Sequence, residues 1–162
     1  SFSFNQATGQ RTEAKGYKPA AAIAGGETFD EIGGGVCQVS TTLFNAVARA
    51  NLKIVDRDPH AWPSNYVDKG EDATVNWPNL DFKFRNNFHF PIQIKAELSD
   101  GYMKMQIVGV DEKDYYIEMR SGRSDEELRI YSNSYKYKYD KETGQQISRE
   151  LEARSSYMYM SS

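Results

Sequence analysis

The chain has 162 residues, a formal net charge of −3, 13% aromatic residues and a single cysteine. That length allows one domain with a real core and a small appendage. A balance this close to neutral, with no basic stripe, argues against nucleic acid as a partner, and one cysteine excludes an internal disulfide or a cysteine-based zinc cluster. There is no run of eighteen apolar residues and no signal-peptide pattern. The start at Ser1-Phe2-Ser3-Phe4 falls in mid-pattern and is read as a fragment of something longer, so a missing export signal says nothing about location.

Residues 1–18 read as polar and turn-rich, with bends at Ala7-Thr8-Gly9 and Lys15-Gly16-Tyr17. Residues 20–24 and 27–32 flank Gly25-Gly26 as a hairpin. It leads into Gly33-Gly34-Gly35-Val36-Cys37 and then the best helix pattern of the chain, ending near Asn51. Val39, Leu43, Ala46, Val47 and Ala50 recur at three- and four-residue steps and form one apolar face. Residues 52–57 alternate as a strand, residues 58–67 form a loop fixed by Pro59 and Pro63, and 69–72 is a turn.

Strands are predicted at 73–77, 80–85, 91–98 and 102–110, the last two joined by Ser99-Asp100-Gly101. Phe82, Phe84, Ile92, Ile94, Ala96, Met103, Met105 and Ile107 alternate with polar residues, as in a sheet with one covered face. From Asp111 onward the chain is more charged, with alternation at 115–120, 128–139 and 145–153. There Tyr135, Tyr137 and Tyr139 face away from Lys136 and Lys138. This reads as a solvated antiparallel ribbon packed on the main sheet, with a tyrosine-lined binding face as the alternative. The fold class is α+β: a mainly antiparallel sheet, one principal helix starting at the Gly-Gly-Gly-Val-Cys motif, and a C-terminal β-ribbon. Residues 1–110 are expected to form the core that carries the cysteine motif, and 111–162 a ribbon extension packed on it.

Cys37 sits at or near a helix start, where unpaired N–H groups and the helix dipole favour a thiolate. The same donors are aimed at an oxyanion forming beside the sulfur, and Gly34, Gly35 and Gln38 around it are candidate substrate-binding residues. The competing possibility is an inert, buried small hydrophobe. A helix from Cys37 to Asn51 carries the chain about 20 Å away, and a strand on to His60 covers about 26 Å. If that strand runs antiparallel to the helix, His60 returns level with Cys37. His89, on a hairpin apex, has no such path and is read as a surface residue. His60 is therefore the candidate general base. Asp72, Asp58 and Asn76 are near enough in sequence to orient it, and Asp72 is preferred; Asp58 suits a turn with Pro59. Ser40, Thr41 and Thr42 are either ordinary first-turn residues or hydroxyl donors to a bound carboxylate. Arg85 is a candidate partner for a substrate carboxylate, against a solvent-facing position on its strand. Trp62 and Trp77 either wall a cleft or make core and rim contacts.

With Phe2-Ser3-Phe4-Asn5, Gly9-Gln10-Arg11-Thr12, the block 33–46, Pro59-His60-Ala61-Trp62-Pro63, Asp72-Ala73-Thr74-Val75 and Leu80-Asp81-Phe82-Lys83-Phe84-Arg85 in hand, the chain resembles the VanW domain family over about residues 2–110. Ala61 stands where many relatives have serine, and the loop 67–72 lacks their usual proline; both departures concern loop shape. The family is one of envelope proteins common in Gram-positive bacteria, named from a glycopeptide-resistance cluster. The resemblance therefore implies the outer face of the cell envelope, a membrane tether in the longer protein, and peptidoglycan stem peptides as partners. It also implies L,D-transpeptidation through a thioester on Cys37: release of a terminal D-alanine, then resolution by an amine of a neighbouring stem. No metal and no cofactor are expected. The alternatives are a cysteine peptidase or amidase acting on wall peptides through the same Cys37 and His60, and a non-catalytic peptidoglycan-binding module in which the tyrosine-rich ribbon holds glycan.

Overall fold

The computed structural model describes residues 1–24, 27–32, 34–111, 113–126 and 128–158, with the backbone alone over 20–24 and 27–32. In chain order the elements are β1 (Phe2–Ser3), α1 (Phe4–Thr8), a 3-10 turn (Glu13–Lys15), β2 (Pro19–Ala24), β3 (Glu27–Ile32), α2 (Val36–Arg49), β4 (Lys53–Asp56) and β5 (Lys83–Arg85). They continue with β6 (Gln93–Ser99), β7 (Tyr102–Val108), β8 (Tyr115–Asp125), β9 (Arg129–Asp140) and β10 (Gln146–Met158). The architecture is α+β, mostly antiparallel strand around one main helix. The strands are divided among a β1-β5-β4 sheet, a β10-β9-β8 sheet and the hairpins β2-β3 and β6-β7. The expected single main sheet is thus four smaller ones among the described residues. The two expected strands of the hairpin over 19–32 form and pair, with Ala20 opposite Glu31 and Ala24 opposite Glu27; its Gly25-Gly26 turn lies outside the described residues.

Helix α2 organises the core. Leu43, Phe44, Val47 and Ala48 are buried on it, against Phe4, Leu52, Ala73, Val75, Phe82, Phe84 and Met119. Each large apolar side chain taken out of water contributes roughly 1.5–3 kcal/mol. The phenyl edge of Phe44 meets Phe82 with centroids 5.8 Å apart. Gly35 caps the N-terminus at φ 87°, a left-handed conformation that glycine adopts without the clash a Cβ brings. At the other end Asn51 turns the chain at φ 60°, and its neighbour Leu52 donates back to the Val47 carbonyl at 3.2 Å.

Two stretches differ from the sequence expectation. Residues 1–18 are not simply turns. Ser3 caps α1 by accepting the Gln6 N–H at 3.1 Å, and Asp81 receives the Ser3 hydroxyl and the Asn5 N–H. Their order comes from a partner some eighty positions away. Residues 73–77 are not a strand either. Ala73 exchanges bonds with the Thr41 hydroxyl, Thr74 N–H goes to the Asp58 carbonyl at 2.8 Å, and only Asn76 bridges, to Leu80. Their polar groups are committed to helix side chains and to a loop, so no ladder forms.

Candidate active site

Cys37 is the second residue of α2 and is half-buried. N–H groups in a first helical turn lack the usual i−4 partner, which makes this end of α2 a favourable place for negative charge. From the other side comes the segment 71–75, which α2 holds down with small polar side chains. Ser40 donates to the Ala73 carbonyl at 2.6 Å, and Asn45 to the Glu71 carbonyl at 2.8 Å. This fastening brings the Thr74 hydroxyl to 3.5 Å from the Cys37 Sγ. It also brings the N–H and the carbonyl of Val75 to 3.5 Å each.

His60 arrives on the loop after β4, as the return path from the helix requires. Its ring Nδ1 donates to Oδ2 of Asp72 at 2.6 Å and its backbone N–H to the same oxygen at 2.7 Å. With Nδ1 taken, Nε2 is the nitrogen left to face Cys37, and the imidazole and the thiol are close enough for each to shift the other's titration. Tyr66 packs edge-on against the His60 ring, centroids 6.3 Å apart. Its hydroxyl lies near those of Thr41 and Ser64 but meets neither in hydrogen-bond geometry. Asp72 is 1% exposed. On its other oxygen it receives the Tyr157 hydroxyl and Nη2 of Arg57 at 3.3 Å, while Nε of Arg57 holds the Asp72 carbonyl at 2.7 Å. The Arg57 guanidinium lies over the Phe44 ring, 5.2 Å from its centroid.

The electrostatics follow from these contacts. Burial pushes the Cys37 thiol up, but hydrogen bonds from His60, Thr74 and the Val75 backbone, with the His60 charge, more than reverse it and leave the thiol below its ordinary range. Burial pushes His60 down, yet the bonds to Asp72 and Cys37 and their charges raise it to about 9. Asp72 is likewise opposed by burial but held low by His60, Tyr157 and Arg57. These contacts favour an imidazolium between a carboxylate and a thiolate over the neutral imidazole–thiol pair.

Of the residues singled out in the sequence, Cys37, His60 and Asp72 come together, while Asp58 and Asn76 take no part in orienting the ring. Asp58 uses its carbonyl on Thr74 and Asn76 pairs its backbone with Leu80. Ser40 and Thr41 are corrected: they are 0% and 1% exposed, with hydroxyls spent on Ala73, so they shape the loop and offer a ligand nothing. Gly34 is half-buried; Gln38 is exposed and donates its N–H to the Gly35 carbonyl at 3.1 Å. Trp62 is half-buried in the His60 loop, and Trp77 is 41% exposed. Arg85 is exposed on β5 opposite Lys53, a solvent-facing position. His89 is exposed beside Phe90. Sequence reasoning gave no role to Thr74, Val75, Arg57, Tyr66 or Tyr157. The first two adjoin Asp72 in the same motif, which was a usable signal; Tyr157 had none. Among the described residues, no group of three or more His, Cys, Asp and Glu side chains is set to hold a metal ion.

Fold and site together define an α+β protein with a thiol, an imidazole and a carboxylate in line at the start of its main helix. The chain belongs to the VanW family: the family model described as "VanW like protein" matches residues 1–108. It is 50% identical over 110 residues to a Bacillus subtilis (strain 168) protein named "Uncharacterized protein YoaR", covering 68% of this chain and 36% of that one. It is 32% identical over 104 residues to "Vancomycin B-type resistance protein VanW" of Enterococcus faecalis (strain ATCC 700802 / V583), covering 61% of this chain and 38% of that one. The chain thus spans a little over a third of the length of these curated relatives. No solved structure matches it.

Proposed function

We propose that the protein is a cysteine acyltransferase of the bacterial cell wall, an L,D-transpeptidase. The observation that carries the proposal is the grouping at the Gly35-capped start of α2: Asp72 hydrogen-bonded to the His60 ring, whose other nitrogen is left for the neighbouring Cys37 thiol. Membership of the VanW family, and a relative named for vancomycin resistance, support wall peptides as the substrate class. The work is done at the outer face of the envelope, with the longer protein tethered to the membrane. Among the described residues, no helix is long and apolar enough to cross one.

In the first step the Cys37 thiolate attacks the carbonyl carbon of an L,D peptide bond in a tetrapeptide stem. The oxyanion forms against the N–H groups of the first helical turn. His60, protonated on Nε2, gives its proton to the departing D-alanine amine, and a thioester remains. In the second step an amine of a neighbouring stem loses a proton to His60 and attacks the thioester. The new amide forms, the thiolate leaves, and the imidazolium is restored. Asp72 supports the positive charge in both steps without exchanging its proton state.

The test is to supply a tetrapeptide stem with and without an acceptor amine. A joined product containing donor and acceptor is expected. Shortened stems that are never joined would instead make the protein a hydrolase, and binding with no product would make it a wall-binding module.

A further inference from the structure

We infer that Tyr157, far beyond the part of the chain that matches the family, is a positioning residue of this site: its hydroxyl fixes Asp72 so that His60 stays aligned on Cys37. The inference rests on Cys37 and His60 being the reactive pair proposed above. Tyr157 is 0% exposed. Its hydroxyl accepts the Gly70 N–H at 2.8 Å and donates to Oδ1 of Asp72. A phenol has one proton to give; with Gly70 occupying a lone pair, that proton is directed at the carboxylate. Burial and the Asp72 charge push the Tyr157 phenol up to about 12, so it remains a donor throughout the range in which the thiolate and imidazolium coexist.

The rest of the C-terminal sheet converges on the same segment. Ser155, on the same face of β10 as Tyr157, receives Nη1 of Arg57 at 2.7 Å. The Met158 N–H donates to the Ala61 carbonyl at 2.7 Å, which joins the strand end to the His60 loop. On β9, Ser132 and Ser134 donate to the carbonyls of Lys69 and Gly70 at 2.6 and 2.7 Å. A sheet serving only to cover the core would meet it with apolar side chains. Here a row of polar side chains meets residues 69–72, the lead-in to Asp72.

Without the phenol, the carboxylate is left between His60 and the Arg57 guanidinium. It can turn toward a bidentate pairing with Arg57, which draws Oδ2 away from the ring. Among the described residues, the charged groups that bond Asp72 are then Arg57 and His60, and Cys37 loses a well-placed imidazolium.

The experiment compares wild type, Tyr157→Phe and Ser156→Ala in the full chain. It reads the pH profile of Cys37 alkylation by iodoacetamide, and kcat and KM for acyl transfer from a tetrapeptide stem. Tyr157→Phe is expected to move the thiol titration upward and to lower kcat by about ten- to a hundredfold with KM unchanged, the range for losing a hydrogen bond to a charged group. Ser156→Ala, which removes the Arg129 bond within the sheet but no contact to residues 69–72 that the structure shows, is expected to change neither. A wild-type profile and kcat in Tyr157→Phe, or an equal shift in Ser156→Ala, would reduce Tyr157 to a packing residue. Should Tyr157→Phe fail to fold, Ser155→Ala loosens the Arg57 side of the same carboxylate. A smaller upward shift there supports the inference, and no shift overturns it. An ordinary thiol titration in the wild type would instead remove the reactive pair itself, and the role of Tyr157 with it.

Discussion

His60 is bound to Asp72 twice, through its ring nitrogen at 2.6 Å and through its own backbone N–H at 2.7 Å, both on Oδ2. One carboxylate oxygen therefore sets the position of the loop and the rotation of the imidazole together. Nε2 can face the sulfur without relying on a rigid loop sequence.

The first consequence concerns protonation. Cys37 is held low and His60 raised to about 9. The pair is ionised from the depressed thiol pKa up to about 9, and acyl transfer is expected to follow a bell between those limits. The two limits belong to the coupled pair rather than to either residue. His60→Ala is expected to raise the apparent thiol pKa toward that of an ordinary cysteine, checked by alkylation rate against pH.

Asp72 links the site to stability. Its folded pKa lies below the unfolded value, so its contribution is complete above about pH 4 and is lost as pH falls through the folded pKa. Asp72→Asn leaves the Arg57 guanidinium, 4% exposed, without its counter-charge. A loss of about 3–5 kcal/mol is expected at neutral pH, shrinking as the wild type is acidified. Urea unfolding at several pH values measures it.

Gly70 sits at φ 98°, and a Cβ there would lie 2.4 and 2.5 Å from the hydroxyl oxygens of Ser134 and Ser132. Gly70→Ala therefore combines backbone strain with displacement of the sheet from the loop. A loss of about 1–3 kcal/mol is expected, together with a slower acyl transfer because Asp72 is two residues on. Thermal unfolding and turnover on the same preparation give both numbers.

Much of this was legible in the sequence, for physical reasons that differ by element. Glycines before a three-and-four-residue apolar pattern fix where α2 begins, and the pitch of a helix against the rise of a strand returns His60 to Cys37. Asp72 emerged from three candidates only by preference, since proximity in sequence does not separate a side chain that points inward from one that turns a loop. Ser40 and Thr41 stayed open between first-turn residues and hydroxyl donors to a ligand, because helix periodicity marks apolar faces and is blind to polar ones buried against a loop backbone. The order in residues 1–18 depends on Asp81, and the anchoring of Asp72 depends on Tyr157. Alternation along a strand carries no trace of a contact 85 positions away.

The most direct measurement is the intact mass of the protein after brief incubation with a tetrapeptide stem in the absence of an acceptor. A mass increase equal to the stem less its terminal D-alanine, located on Cys37 and absent from Cys37→Ala, is the expected result. Stem turnover that persists in Cys37→Ala, or a wild-type protein that is never acylated, would contradict the account.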